Sequence, residues 1–176
     1  MLDGKSNIIQ FIQNQLQFQD SLIIQGPPGT GKTHLIAELI KKLINKNKSV
    51  LVTALTNRAL IEIVEKPALK NHLTEQKVFK TKLSVDETRL HTGLKQTKTI
   101  SPQPGNVILS TFYLTSGQAL QISNETPFDY VIVDEASQAL LAMFAGATLL
   151  GKKNIWIGDT KQLPPVVMLN EDMVNR

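Results

Sequence analysis

The chain of 176 residues contains no cysteine. Disulfides and thiolate metal sites are therefore excluded, and the composition suits a reducing, cytoplasmic setting. Aromatic residues make up only 5%, too few for an extensive base-stacking platform. No run of 18 apolar residues occurs, so no membrane span is expected. The N-terminus shows no basic segment followed by an apolar one, the pattern of a signal peptide. Internal repeats and low-complexity tracts are also missing. What is present is an ordinary composition, 41% hydrophobic and 19% charged, sufficient for one packed domain. The net charge of +4 is compatible with a nucleic-acid partner but does not require one.

The most informative stretch is Gly26-Pro27-Pro28-Gly29-Thr30-Gly31-Lys32-Thr33, which fits the phosphate-loop pattern G-x-x-x-x-G-K-[ST] without a mismatch. Its flanks have the required context. Ser21 to Gln25 reads as a short buried strand, and residues 34–45 carry apolar side chains at helical spacing. Glycines let backbone N–H groups wrap a phosphate chain without Cβ clashes. The helix N-terminus adds partial positive charge. Lys32 can then reach the β- and γ-phosphates, and the Thr33 hydroxyl can ligate Mg²⁺. The bland alternative is a glycine-rich turn with an accidental lysine.

Around this loop the pattern is that of an α/β chain. Residues 7–18 predict an amphipathic helix. Residues 49–54 predict a second buried strand, and the apolar residues at 60, 61, 63 and 64 a helix closed near Pro67. Three more short apolar runs follow, Val107 to Ser110, Tyr130 to Val133 and Ile155 to Ile157, the last two separated by an apolar helix over about 137–150. Such runs predict a parallel sheet of about five strands with helices on both faces. Residues 66–98 differ: they hold eight Lys or Arg, three acids, His72 and His91, with weak periodicity. They read as a basic insertion extending to about residue 104, placed at the edge of the core as short helices or partly mobile chain. Its basic character reads first as solvated surface and second as contact with a nucleic-acid backbone. The lysines at 41, 42, 46 and 48 read as complements to a helix dipole.

A second half of a phosphate-handling site lies at Asp134-Glu135, at the carboxyl end of a buried strand. Beside a phosphate loop on a neighbouring strand, Asp134 would hold Mg²⁺, and Glu135 would polarise the attacking water. An acid pair here could instead cap a helix. Downstream, Gly158-Asp159-Thr160-Lys161-Gln162-Leu163-Pro164-Pro165 places Gln162 where it could bond the γ-phosphate or the water. Alternatively, the segment is a stiff proline-terminated loop.

The ordered set, Gln25 to Thr33, Thr56-Asn57, Asp134-Glu135-Ala136-Ser137-Gln138 and Gly158 to Pro165, resembles the superfamily 1B helicases of the up-frameshift type. That group includes the nonsense-mediated-decay and Okazaki-fragment-processing helicases. The first string matches motif I throughout, Asp134 to Gln138 matches motif II, and Gly158 to Pro165 matches motif III with Thr160 where His is common. The resemblance spans roughly residues 2–168. It implies a RecA-like P-loop NTPase domain that binds ATP and Mg²⁺ and couples hydrolysis to movement on single-stranded DNA or RNA. Gly26, Pro27, Pro28, Gly29, Thr30, Gly31, Lys32 and Thr33 would bind the nucleotide, Thr33 and Asp134 the metal. Lys32, Asp134, Glu135 and Gln162 would carry the chemistry. Thr56, Asn57, Ser110, Thr111 and Pro164 would meet the nucleic acid, where short hydroxyls and amides can bond phosphate oxygens.

Two departures stand out. Ser6 occupies the place of an upstream Gln that in this family reads adenine, and Gln10 could serve only after a shift. The chain also stops soon after motif III. It therefore reads as a first motor domain alone, awaiting a second RecA-like domain whose arginine stabilises transition-state charge. Two other readings stay open: a nucleotide-dependent nucleic-acid-binding module without translocation of its own, and a phosphate-loop ATPase of another kind.

Overall fold

β-branched and large aliphatic side chains fill both faces of a pleated sheet, and here the short apolar runs become its strands. The computed structural model describes residues 5–119, 127–139 and 141–159, with backbone alone at 5–7 and 141–144. In chain order the elements are α1 (Lys5–Phe18), β1 (Ser21–Gln25), α2 (Lys32–Ile44), β2 (Val50–Ala54), α3 (Asn57–Val64), α4 (Lys70–Thr74) and β3 (Val78–Lys80). Then come α5 (Val85–Leu90), β4 (Lys95–Gln96), β5 (Val107–Thr111), α6 (Phe112–Ala119), β6 (Phe128–Val133), α7 (Leu141–Leu150) and β7 (Gly151–Gly158). All pairings are parallel, in the order β1-β7-β6-β2-β5-β3-β4.

Two apolar clusters correspond to the two faces of this sheet. Val50, Val52, Leu109, Ile132 and Ile155 pack with α1, α2 and α3. The alternate residues Leu51, Ile108, Val131, Val133 and Trp156 pack with Phe112, Ala119, Ala147 and Leu150 of α6 and α7. Strands covered on both sides need apolar residues at every position, which is why these runs are continuous rather than alternating.

The sheet has seven strands among the described residues, not five. The two added strands are β3 and β4, both inside the basic segment. They extend the sheet past β5, so this segment is ordered and built into the core. Ala68 and Leu69, in a 3-10 turn at Pro67–Leu69, are buried. β3 was concealed by its length of three residues and by Lys80, a cation only 1% exposed. The Lys80 ammonium pairs with Glu87 at 3.2 Å and donates to the Lys82 carbonyl. Glu87 is held in turn by a capping box at the start of α5: Ser84 N–H donates to its carboxylate at 2.8 Å, and Ser84 Oγ accepts from Glu87 N–H at 3.1 Å. A buried charge needs such compensation.

Two smaller expectations are corrected. β1 has a neighbour only on its β7 side among the described residues, and Ile23 is 77% exposed, so this strand is not buried. The expected helix over 137–150 is a 3-10 turn at Ala136–Gln138 followed by α7. Glu135 adopts a left-handed backbone just before that turn, which breaks the helical path.

Removing one partner from the Lys80–Glu87 pair should be costly. Glu87→Ala, which strands the fully buried ammonium, is expected to lower stability by about 3 kcal/mol, and Lys80→Met by less, because Met fills nearly the same volume and the carboxylate left behind is 18% exposed and still accepts from Ser84 N–H; urea unfolding measures both. His72 on α4 offers a pH test. It is buried, and its Nε2 lies 2.7 Å from Asn45 Oδ1. Burial holds its pKa below the usual 6.5, so the unfolded chain binds the proton more readily. Stability should be flat above the unfolded value and fall as pH drops below it. Between pH 7.5 and 5.5 the urea midpoint of the wild type should drop more than that of His72→Gln.

Candidate active site

The phosphate-loop residues leave the carboxyl end of β1 and enter α2 as the sequence predicts. Gly29 and Gly31 have φ of 76° and 85°, left-handed conformations that glycine adopts without a Cβ penalty. The Thr30 hydroxyl donates to the Pro27 carbonyl at 2.7 Å and closes the loop on itself. α2 starts at Lys32 immediately after Gly31, and no side chain caps it. Its first-turn amides therefore face the loop, the arrangement that binds anions. Lys32 Nζ donates to the carbonyls of Gly26 at 2.6 Å and Pro27 at 3.0 Å, keeping the ammonium at the mouth of the loop.

The second wall comes from β6. Its strand does not neighbour β1, because β7 lies between them. The two halves still converge on one cleft of about 380 Å³, lined by Pro28, Gly29, Gly31, Lys32, Thr33, Asp134, Glu135 and Gly158 among others. Gly158, at the end of β7, makes this convergence possible. Its carbonyl accepts from Gly26 N–H at 3.1 Å. A Cβ there would stand 2.9 Å from the Ser137 amide nitrogen, so a side chain would push the turn after Glu135 outward.

Asp134 is 6% exposed. Burial raises its pKa, and this is only partly offset by the Glu135 N–H donating to its Oδ1 at 2.9 Å and by the charge on Lys32. The Glu135 pKa is raised too, first by burial and then by the charges on Asp134 and Glu62. Its Oε2 is buried without a hydrogen-bond partner among the described residues. Glu135 also holds φ at 54°, strained for a residue with a Cβ. A buried and a half-buried carboxylate with raised proton affinity fit a divalent cation and a water nucleophile. Among the described residues no cluster forms a complete cage of metal-ligating side chains. Mg²⁺ is characteristically held by one or two protein ligands plus phosphate oxygens and water. Thr33 and Asp134 would hold it, and the ion would supply neutralisation of phosphate charge.

The other predicted contacts emerge on the same side of the sheet. Ala54 of β2 stands opposite Thr111 of β5, so Thr111 and the Thr56-Asn57 segment that follows Ala54 both lie at the carboxyl ends of neighbouring strands. Thr56 and Asn57 are exposed, and Thr56 Oγ1 also caps α3 by accepting from Ala59 N–H at 3.1 Å. Ser110 is fully buried and accepts from the Thr81 hydroxyl at 3.3 Å, so it braces the strand and presents no group at the surface. Gln162 and Pro164 lie outside the described residues. Gln10 is exposed on α1. The sequence reading missed His34, Ala59, Glu62 and Lys66, which also line the cleft. The last three fall at i, i+3 and i+7 along α3 and its end, a stripe visible once α3 is known to face the cleft.

A family model described as AAA domain matches residues 9–168. The chain belongs to the AAA domain family. This AAA domain is 34% identical over 160 residues to the DNA replication ATP-dependent helicase/nuclease DNA2 of Saccharomyces cerevisiae, covering 89% of this chain and 10% of that protein. It is 29% identical over 180 residues to the Homo sapiens protein of the same name, covering 92% and 16%. The chain thus spans a small part of the length of these curated relatives. The same fold occurs in a nuclease-deletion mutant of the Type ISP restriction-modification enzyme LlaGI in complex with a DNA substrate mimic. The TM-score is 0.59 at 15% identity, with 99% of this chain and 19% of that one covered. With its motifs, the AAA domain is of the superfamily 1 helicase motor type, in a RecA-like fold.

Gly158→Ala tests the β7 wedge. It should cost about 1–3 kcal/mol in urea unfolding and reduce nucleotide turnover more than nucleotide binding, because it displaces the turn after Glu135 and leaves the loop residues in place.

Proposed function

We propose that this AAA domain is the ATP-binding and hydrolysing half of a nucleic-acid-dependent helicase, coupling hydrolysis to translocation on single-stranded DNA or RNA. The observation that carries the proposal is the meeting of Lys32 and Thr33 with Asp134 and Glu135 in one cleft. Lys32 and the α2 amides would bind the phosphates. Thr33 and Asp134 would hold Mg²⁺. Glu135, with its raised proton affinity, would take a proton from the attacking water as the water oxygen bonds to the γ-phosphorus and the bond to the β–γ bridging oxygen breaks, releasing ADP. Gln162 would report the state of the γ-phosphate. Thr56, Asn57 and Thr111 would bond the backbone of the strand, which fits the exposure of Thr56 and Asn57 and the half-buried Thr111 at adjacent strand ends. A second RecA-like domain would close the cleft and bring an arginine. Without it, turnover should run slower by a factor on the order of 10³–10⁵. The helicase names of the relatives support this reading, and the absence of cysteine suits a cytoplasmic setting. Among the described residues no helix is long and apolar enough to cross a membrane.

The test is Mg²⁺-dependent ATP hydrolysis by the chain, alone and with single-stranded DNA or RNA. Glu135→Gln should lower turnover by about 10²-fold or more while nucleotide still binds, and Lys32→Ala should abolish binding. Tight nucleotide binding that survives Lys32→Ala would overturn the proposal.

A further inference from the structure

We propose that Lys66 is a second phosphate-binding cation of the cleft, meeting the γ-phosphate end of a bound triphosphate from the wall opposite Lys32. This rests on the nucleotide reading above. α3 ends before Lys66 because Pro67 cannot donate a backbone hydrogen bond and pushes the preceding residue out of helical geometry; Lys66 has φ −72° and ψ 137°. Ala68 and Leu69, buried just beyond, anchor the chain at this point. Lys66 is thereby held half-buried on the cleft wall.

Its neighbours leave the ammonium available. Glu62, one turn earlier and also on the cleft wall, is engaged by Arg58 Nε at 3.0 Å. Glu65 lies 3.8 Å from His91 Nε2. The Lys66 backbone is engaged, its N–H donating to the Ile63 carbonyl at 3.1 Å, but among the described residues its ammonium has no hydrogen-bond or ion-pair partner. Sheet order supplies the direction. Crossing from β1 the strands run β7, β6, β2, and α3 follows β2. A phosphate chain that starts in the loop and ends at Asp134 and Glu135 therefore points its last phosphate toward α3. Lysine is a compact point charge suited to such an end-on contact.

The experiment is calorimetric titration of Mg-ATP and Mg-ADP into the wild type, Lys66→Ala, Lys66→Met, Lys66→Arg and Lys32→Ala, with urea midpoints for each. Lys66→Ala and Lys66→Met should bind ATP about tenfold more weakly, with ADP affinity nearly unchanged, and Lys66→Arg should restore ATP binding. An equal loss for both nucleotides, or no loss at all while Lys32→Ala loses binding, would overturn the assignment and leave the nucleotide site standing. A wild type that binds neither nucleotide would overturn both.

Discussion

The site depends on β7 lying between β1 and β6. Parallel pairing on both its sides sets the distance between the phosphate loop and the carboxylate pair. Register sets their level: Gln25 stands opposite Gly158, and Val133 stands opposite Trp156. Parallel strands all deliver their carboxyl ends to one edge, so motifs far apart in sequence gather there. Gly158 lets the backbone of the loop and the turn after Glu135 close over the end of β7 from either side, which no larger residue would permit.

Within the cleft, charge opposes burial. Asp134 and Glu135 are drawn out of water, Glu135 Oε2 has no hydrogen-bond partner among the described residues, and Glu135 is held in a left-handed backbone. Such groups lower their free energy when cations arrive. Lys32 is already at the loop, and α3 brings a second lysine to the far wall. α3 also begins at Thr56 and Asn57. One short helix therefore has its first turn beside the proposed nucleic-acid contacts and its end beside the proposed γ-phosphate contact.

The basic segment shows how charge can hide structure. A three-residue strand offers almost no periodicity, and Lys80 reads as surface until Glu87 and the Lys82 carbonyl are seen around its ammonium. Ser84 and Glu87 do form a legible capping-box pair, but its service to a buried lysine on another element is a tertiary fact. The same holds for Ser110, whose place in a nucleic-acid motif gave no hint that it is sealed beneath Thr81.

By itself the sequence determined the phosphate loop, the two carboxylates and the α/β class, because each rests on local rules: glycines where φ must be positive, apolar runs where strands are covered on both faces, helical spacing where one side meets the sheet. Strand order, the β7 wedge, the two added strands and the lysine at the end of α3 were decided only by the tertiary structure. They arise from pairings between residues distant along the chain, and no local pattern encodes which strand lies beside which.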